Sequence, residues 1–268
     1  MTRSHSSPAA PILLKVDDAI ATIRLNRPES GNALDLETLR ALHTAADQLA
    51  QLSDVRAVLV RSDGPIFCAG GDLRWMAAQD DRRAAVHTLA TALHGALLAL
   101  RALAAPIVTV VQGTTAGAGV SLAASADIAL AAETATFTMA YTKVGLSPDG
   151  GSTWLLPRLL GQQRAAALML LNSRVDATEA ARIGLVARVV PDDQLDAEAA
   201  RLAEALRNGS RAAGAAVKRL LAASSGSSLP EQLDLEATSI ADLAVSPEGR
   251  EGIDSFLDGR RPDFRAMC

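Results

Sequence analysis

The chain has 268 residues, of which 49% are hydrophobic and 21% charged; this is ordinary globular usage, excludes intrinsic disorder, and is long enough for a sizeable core without a disulfide or metal staple. Its net charge of −4 and its 3% aromatic content argue against a polyanion partner and against a base-stacking nucleic-acid surface. Only two cysteines are present, Cys68 and Cys268, so the expected location is a reducing cytoplasm.

Residues 1–11 (MTRSHSSPAAP) lack the apolar run of a signal peptide and read as a flexible tail. Residues 12–16 and 19–25 are short β-rich runs around Asp17-Asp18, which predicts a hairpin. Pro28 ends the second strand because it cannot extend a ladder. Leu36, Leu39, Leu42, Ala46 and Leu49 recur at helical spacing and predict an amphipathic helix over 34–52. Residues 55–60 read as a β-branched strand. Over 81–103, Val86, Leu89, Leu93, Leu97 and Leu100 form one stripe of a long helix that ends before Pro106. A strand at 107–111, a glycine-rich turn, a short helix through Ala124 and a strand at 127–131 follow. Residues 102–126 carry no charge, but Pro106, Gln112, Gly113, Gly117 and Gly119 interrupt them, so they read as strand, turn and helix and not as a membrane span. The alternation argues for an α/β fold with parallel pairing.

From Pro148 onward helices dominate, at 151–160, 163–171, 177–183, 195–206, 212–223 and 230–243, with one strand at 187–190. Residues 224–228 (SSGSS) are the one linker-like stretch, and no internal repeat is visible. The expected organisation is an α/β core over 12–195 followed by a helical region over 196–268.

Three motifs fail on inspection. Gly119-Val120-Ser121-Leu122-Ala123 is a degenerate nucleophile elbow, but all four histidines (His5, His43, His87, His94) precede Ser121, and that chemistry needs one after it. Gly117-Ala118-Gly119 is half of a dinucleotide fingerprint, with Leu122 where the third glycine belongs. His87 and His94 gather no further ligand at metal-binding spacing, so no metal is expected.

Two loops stand out together. Phe67-Cys68-Ala69-Gly70-Gly71-Asp72-Leu73 and Gln112-Gly113-Thr114-Thr115-Ala116-Gly117-Ala118-Gly119 each follow a strand, open a helix and expose backbone N–H groups with no bulky side chain in the way. Converging on one point they would make an oxyanion hole. Two ordinary glycine turns fit the same spacing equally well.

These loops, with Leu25-Asn26-Arg27-Pro28, Asn32-Ala33-Leu34, Val144-Gly145-Leu146-Ser147-Pro148-Asp149-Gly150-Gly151, residues 180–190 and the ending GIDSFLDGRRPDF (252–264), carry a resemblance. The chain resembles the crotonase family, the enoyl-CoA hydratase/isomerase superfamily, in order and spacing from about residue 13 to 264. The resemblance implies an α/β crotonase fold of repeated ββα units, with C-terminal helices that drive assembly into trimers or into hexamers made of two trimers. It implies an acyl-CoA thioester as substrate, with coenzyme A entering as part of that substrate and no separate cofactor. The N–H groups of Gly71 and Ala118 would hold the thioester oxygen; most members have glycine where this chain has Ala118. Arg27 matches a basic position near the pantetheine and phosphates. Cys68, Ala69, Asp72 and Leu73 fall where the adenine pocket is lined, Phe256 matches an aromatic beside the adenine, and Arg260 and Arg261 match a basic segment that reaches CoA phosphate, often on a neighbouring subunit.

Hydratases of this family use two glutamates, one to activate water and one to protonate Cα. The corresponding positions here are Ser121 and Tyr141, neither of which is a carboxylate. Asp149 remains. On the residues alone it reads as a helix N-cap. Phenylacetate-pathway-type isomerases carry Asp in the same setting as a proton shuttle, and the 4-chlorobenzoyl-CoA dehalogenase branch carries it as a nucleophile. The expected activity is therefore isomerisation of the double bond of an enoyl-CoA, or of a related unsaturated or cyclic acyl-CoA, with Asp149 as shuttle among Tyr141, Leu146 and Trp154. The alternatives are a hydratase with atypical residues, a dehalogenase-like enzyme and a low-turnover acyl-CoA-binding protein.

Overall fold

The computed structural model describes residues 10–267. Cys268 and most of the expected tail, residues 1–9, lie outside the described residues. Ala10 and Pro11 are not loose: their carbonyls accept hydrogen bonds from the Asn26 side chain and backbone, both at 2.9 Å. The hairpin forms as expected from β1 (Ile12–Asp17) and β2 (Ile20–Leu25), with Asp17 opposite Ile20. Asp18 and Ala19 turn it with φ of 44° and 63°, the positive values that a two-residue hairpin turn demands.

The chain then runs through α1 (Leu36–Ala50), β3 (Ala57–Ser62), β4 (Ile66–Cys68), α2 (Leu73–Ala77) and α3 (Arg82–Ala102). It continues with β5 (Ile107–Val111), β6 (Thr114–Ala116), α4 (Ala118–Ala124), β7 (Ile128–Ala132), β8 (Thr136–Thr138), α5 (Ser152–Leu160) and α6 (Gln162–Leu171). Last come β9 (Val175–Asp176), α7 (Ala177–Ile183), β10 (Arg188–Val190), α8 (Leu195–Asn208), α9 (Arg211–Ser224), α10 (Leu229–Ala244) and α11 (Pro247–Leu257). The large sheet has the order β1-β2-β3-β5-β7-β10, parallel from β2 onward, and a second sheet has the order β4-β6-β8-β9. Each of β3, β5 and β7 is followed within two or three residues by a short strand in the second sheet and then by helix. The ββα unit therefore occurs three times, although the residues show no repeat. Four strands of the second sheet and helix α11 are absent from the sequence reading. Runs of two or three residues are too short to show an alternation.

The large sheet is covered on both faces, which is why its strands are nearly continuous hydrophobic runs. Val58 and Val60 face α1 and α3 through residues such as Leu42, Leu49, Leu93 and Leu100. Ala57 and Leu59, one step out of phase, face the other way with Val108, Val110 and Leu130, onto Leu195, Ala199 and Ala203 of α8. The cover of that second face thus comes almost wholly from beyond residue 195. The C-terminal segment is fastened through a buried cation. Arg56, 3% exposed, donates to the carbonyls of Gly209 and Phe264 at 2.9 and 2.7 Å and pairs with Glu248 at 3.2 Å. Among the described residues no helix is long and apolar enough to cross a membrane.

Candidate active site

The two glycine-bearing loops meet. Gly70 has φ +93°, and a Cβ there would lie 2.8 Å from the Ala116 carbonyl oxygen; a Cβ on Gly119 would lie 2.5 Å from that of Cys68. Such backbone-to-backbone contact is open only to glycine. Parallel β4–β6 pairing sets the approach. Neither the Gly71 N–H nor the Ala118 N–H is taken up by a hydrogen bond among the described residues, and both residues line one cavity. Ala118 opens α4, so its N–H has no intrahelical acceptor.

The cavity holds about 250 Å³. Leu73 and Met76 of α2, Val86, Leu89, Ala90 and Leu93 of α3, and Met139, Val144 and Leu146 form most of its wall. Asp149 is the single carboxylate among its lining residues. It is not a helix cap. Helix α5 starts at Ser152 with Gly151 as its N-cap and no side-chain cap bond. The Asp149 carbonyl instead accepts the hydroxyls of Ser121 and Ser152 at 3.1 and 2.9 Å. The next N–H, of Gly150, donates to Nε2 of His94 at 3.3 Å. A Cβ on Gly150 (φ +59°) would lie 2.9 Å from Cβ of Ser121, so this loop is pressed onto α4. The capping expectation fails because the backbone is pinned before the helix begins, which leaves the carboxylate on the cavity side.

That carboxylate has one side-chain partner. The Tyr141 hydroxyl donates to Oδ1 of Asp149 at 2.6 Å. Burial pushes the Tyr141 phenol well above its ordinary range, and the adjacent Asp149 charge and its hydrogen bond push the same way. The nearby Ser121 hydroxyl pulls in the opposite direction without offsetting them. Tyr141 therefore keeps its proton and acts as a donor.

The other expected residues divide. Ala69 and Leu73 line the cavity, as do Tyr141 and Leu146. Trp154 does not; it is 43% exposed and stacks with the Arg158 guanidinium 3.9 Å from its ring centroid. Cys68 is fully buried behind the loop, where its Sγ accepts the Gly70 N–H and burial pushes its thiol up to about 12. The Asp72 side chain caps α2 by accepting from the N–H groups of Arg74 and Trp75. Arg27 is engaged inside the chain, donating to the Ala33 carbonyl at 2.8 Å and pairing with Asp35 at 2.8 Å and Asp72 at 3.8 Å. Within one chain none of Phe256, Arg260 and Arg261 lines the cavity. Phe256 is 84% exposed, and Arg260 makes a two-pronged pair with Glu251 of α11. Sequence reasoning missed Met76, Met139 and the pocket role of Val86, Leu89 and Leu93. Their stripe was visible, but a stripe does not tell a cavity wall from a core.

Comparison with known proteins bears on the family to which this cavity belongs. The family model described as enoyl-CoA hydratase/isomerase matches residues 15–267. The chain belongs to the enoyl-CoA hydratase/isomerase family. It is 38% identical to the "Probable enoyl-CoA hydratase" of Rhodobacter capsulatus over 94% of this chain and 97% of that protein. It is 34% identical to the 1,2-epoxyphenylacetyl-CoA isomerase of Escherichia coli, with the same coverage. The crystal structure of enoyl-CoA hydratase from Mycobacterium smegmatis superposes with a TM-score of 0.91 at 32% identity, covering 95% of this chain and 99% of that one. The crotonase fold and the ββα units implied by the resemblance are thus those of this family.

Proposed function

We propose that this member isomerises the double bond of an enoyl-CoA, with Asp149 as the proton shuttle. The observation that carries the reading is that Asp149 is the single carboxylate lining the cavity; by the resemblance, Ser121 and Tyr141 stand where the hydratases carry their two glutamates. The thioester oxygen accepts hydrogen bonds from the N–H groups of Gly71 and Ala118. For a 3-enoyl ester, the Asp149 carboxylate removes a proton from Cα and the electron pair spreads into a dienolate held by those two donors. The same proton is returned to Cγ, leaving the double bond at C2–C3. One carboxylate suffices for removal and return, whereas hydration by two bases requires two. The unsaturated acyl group lies against the aliphatic wall of α3. Coenzyme A enters as part of the substrate, and no separate cofactor takes part.

The reading extends to assembly. Leu229, Ile240, Phe256 and Leu257 on the C-terminal helices are each more than 70% exposed, which suits a trimer or a pair of trimers in which a neighbour brings its Arg260 and Arg261 toward CoA phosphate.

The test is incubation of the purified protein with 3-enoyl-CoA and 2-enoyl-CoA esters, read by absorbance of the conjugated thioester and by mass. Conversion of the 3-enoyl to the 2-enoyl ester is expected, with a loss of about 10³-fold in Asp149→Asn. A product heavier by one water, formed at the faster rate, would make the chain a hydratase and overturn the reading.

A further inference from the structure

The route of the chain into the cavity at Tyr141 is strained. The Tyr141 N–H reaches back to the Met139 carbonyl at 2.8 Å across Ala140, whose φ is +58°. A γ-turn of this sign is rare for a residue with a side chain, and strain of this kind persists only where the surroundings over-determine it. They do so here. The Tyr141 carbonyl accepts the N–H groups of Val144 and Leu146 at 3.1 and 3.0 Å, and the Thr142 hydroxyl donates to the Met169 carbonyl at 3.1 Å on α6. The turn is thus clamped from both sides, and its product is one contact, the phenol on Oδ1 of Asp149. Asp149 is clamped separately through its carbonyl and the following N–H.

We infer that Tyr141 is a positioning residue for the Asp149 base: it holds Oδ1 and fixes the carboxylate plane, so that Oδ2 is the atom that takes and returns the proton. This rests on the assignment of Asp149 as proton shuttle. A carboxylate left to rotate about its terminal torsion, which is broad and nearly two-fold, would spend part of its time turned away from the substrate. Tyr141 and Asp149 are the only ionisable side chains lining the cavity among the described residues, so no third group substitutes for the phenol.

Tyr141 is also the one tyrosine of the chain, which makes the contact directly observable by alkaline titration of phenol absorbance. In the unmodified protein the phenolate is expected to appear only above the ordinary phenol value of about 10. In Asp149→Asn its midpoint is expected to fall, because the facing negative charge is gone while burial remains. In Tyr141→Phe, which keeps the ring, kcat is expected to drop about 10- to 100-fold, the loss of one hydrogen bond to a charged group. KM is expected to stay within about threefold, because uniform binding is untouched. Far-ultraviolet circular dichroism of both variants controls for folding.

An unchanged phenol midpoint in Asp149→Asn would show that the contact is absent and overturn the proposal whatever the kinetics. A shifted midpoint with unchanged kcat in Tyr141→Phe would show a contact without a positioning role, and would also overturn it. Full isomerase activity in Asp149→Asn would instead overturn the assignment of the base itself, which the titration distinguishes because it does not depend on turnover.

Discussion

The α-carbon of Gly119 packs so closely on Cys68 that an added methyl would sit 2.5 Å from the Cys68 carbonyl oxygen and 2.8 Å from its Cβ. This contact locks α4 against β4, where the Ala118 nitrogen lies 3.3 Å from the place a Cβ on Gly70 would take. Gly119→Ala is expected to force the two loops apart, costing about 1–3 kcal/mol of stability and most of the turnover. Thermal unfolding and the isomerase assay measure the two effects separately.

Ala118 permits a sharper test of the proposed oxyanion hole. It is the first residue of α4, a position where proline is tolerated because the N–H has no intrahelical acceptor. Ala118→Pro deletes the donor while keeping the helix start. A fall of about 10²–10³-fold in kcat is expected, with a small change in Tm. Ala118→Gly keeps the donor and is expected to retain turnover within a few-fold. Equal activity in all three proteins would remove the Ala118 N–H from the mechanism.

Glu248 decides how firmly the last helices are held. Burial raises its pKa, but hydrogen bonds from the Ser210 hydroxyl and the Ala212 and Arg211 N–H groups, with the Arg56 charge, outweigh burial and hold it below the usual carboxylate range. A depressed folded-state pKa means that its stabilisation is present above the unfolded value of about 4.3. It is lost as pH falls through the lower folded value. Acid is therefore expected to loosen 209–264 first, seen as early loss of amide protection there. Glu248→Ala, which removes the carboxylate from a buried cation, is expected to cost about 3 kcal/mol in denaturant unfolding at neutral pH.

Cys68 is expected to be inert in the folded protein. It is fully buried, and burial pushes its thiol up to about 12, so the thiolate that reacts with alkylating agents is scarce at neutral pH. In a Cys268→Ser variant, iodoacetamide labelling is expected only after unfolding. Rapid labelling of the native variant would mean that the loop carrying Cys68 opens to solvent.

Much of this molecule was legible in order along the chain. The hairpin, α1, α3, β5 and the Asp149 loop follow from hydrophobic periodicity, from Asp and Gly at turns, and from prolines that stop elements. The pair of glycine loops was visible as a pair, and the resemblance supplied Gly71, Ala118 and Asp149 together. The second sheet was not legible, because strands of two or three residues such as Val175–Asp176 carry no period. Sequence likewise showed Asp149 before Gly-Gly-Ser, a pattern that fits a cap as well as a base.

Only the tertiary structure showed that Asp149 does not cap α5. Hydroxyls from Ser121 on α4 and Ser152 on α5 hold the Asp149 carbonyl, and Tyr141 meets Oδ1 through a strained turn at Ala140. It also showed that Arg27 is spent on Asp35 and Asp72 and that Trp154 stands outside the cavity. Periodicity and turn chemistry act between near neighbours, so the residues by themselves determined the elements. Which groups meet across 28 residues of chain, as the Ser121 hydroxyl and the Asp149 carbonyl do, depends on how the ββα units pack together, and that is a property of the packed whole.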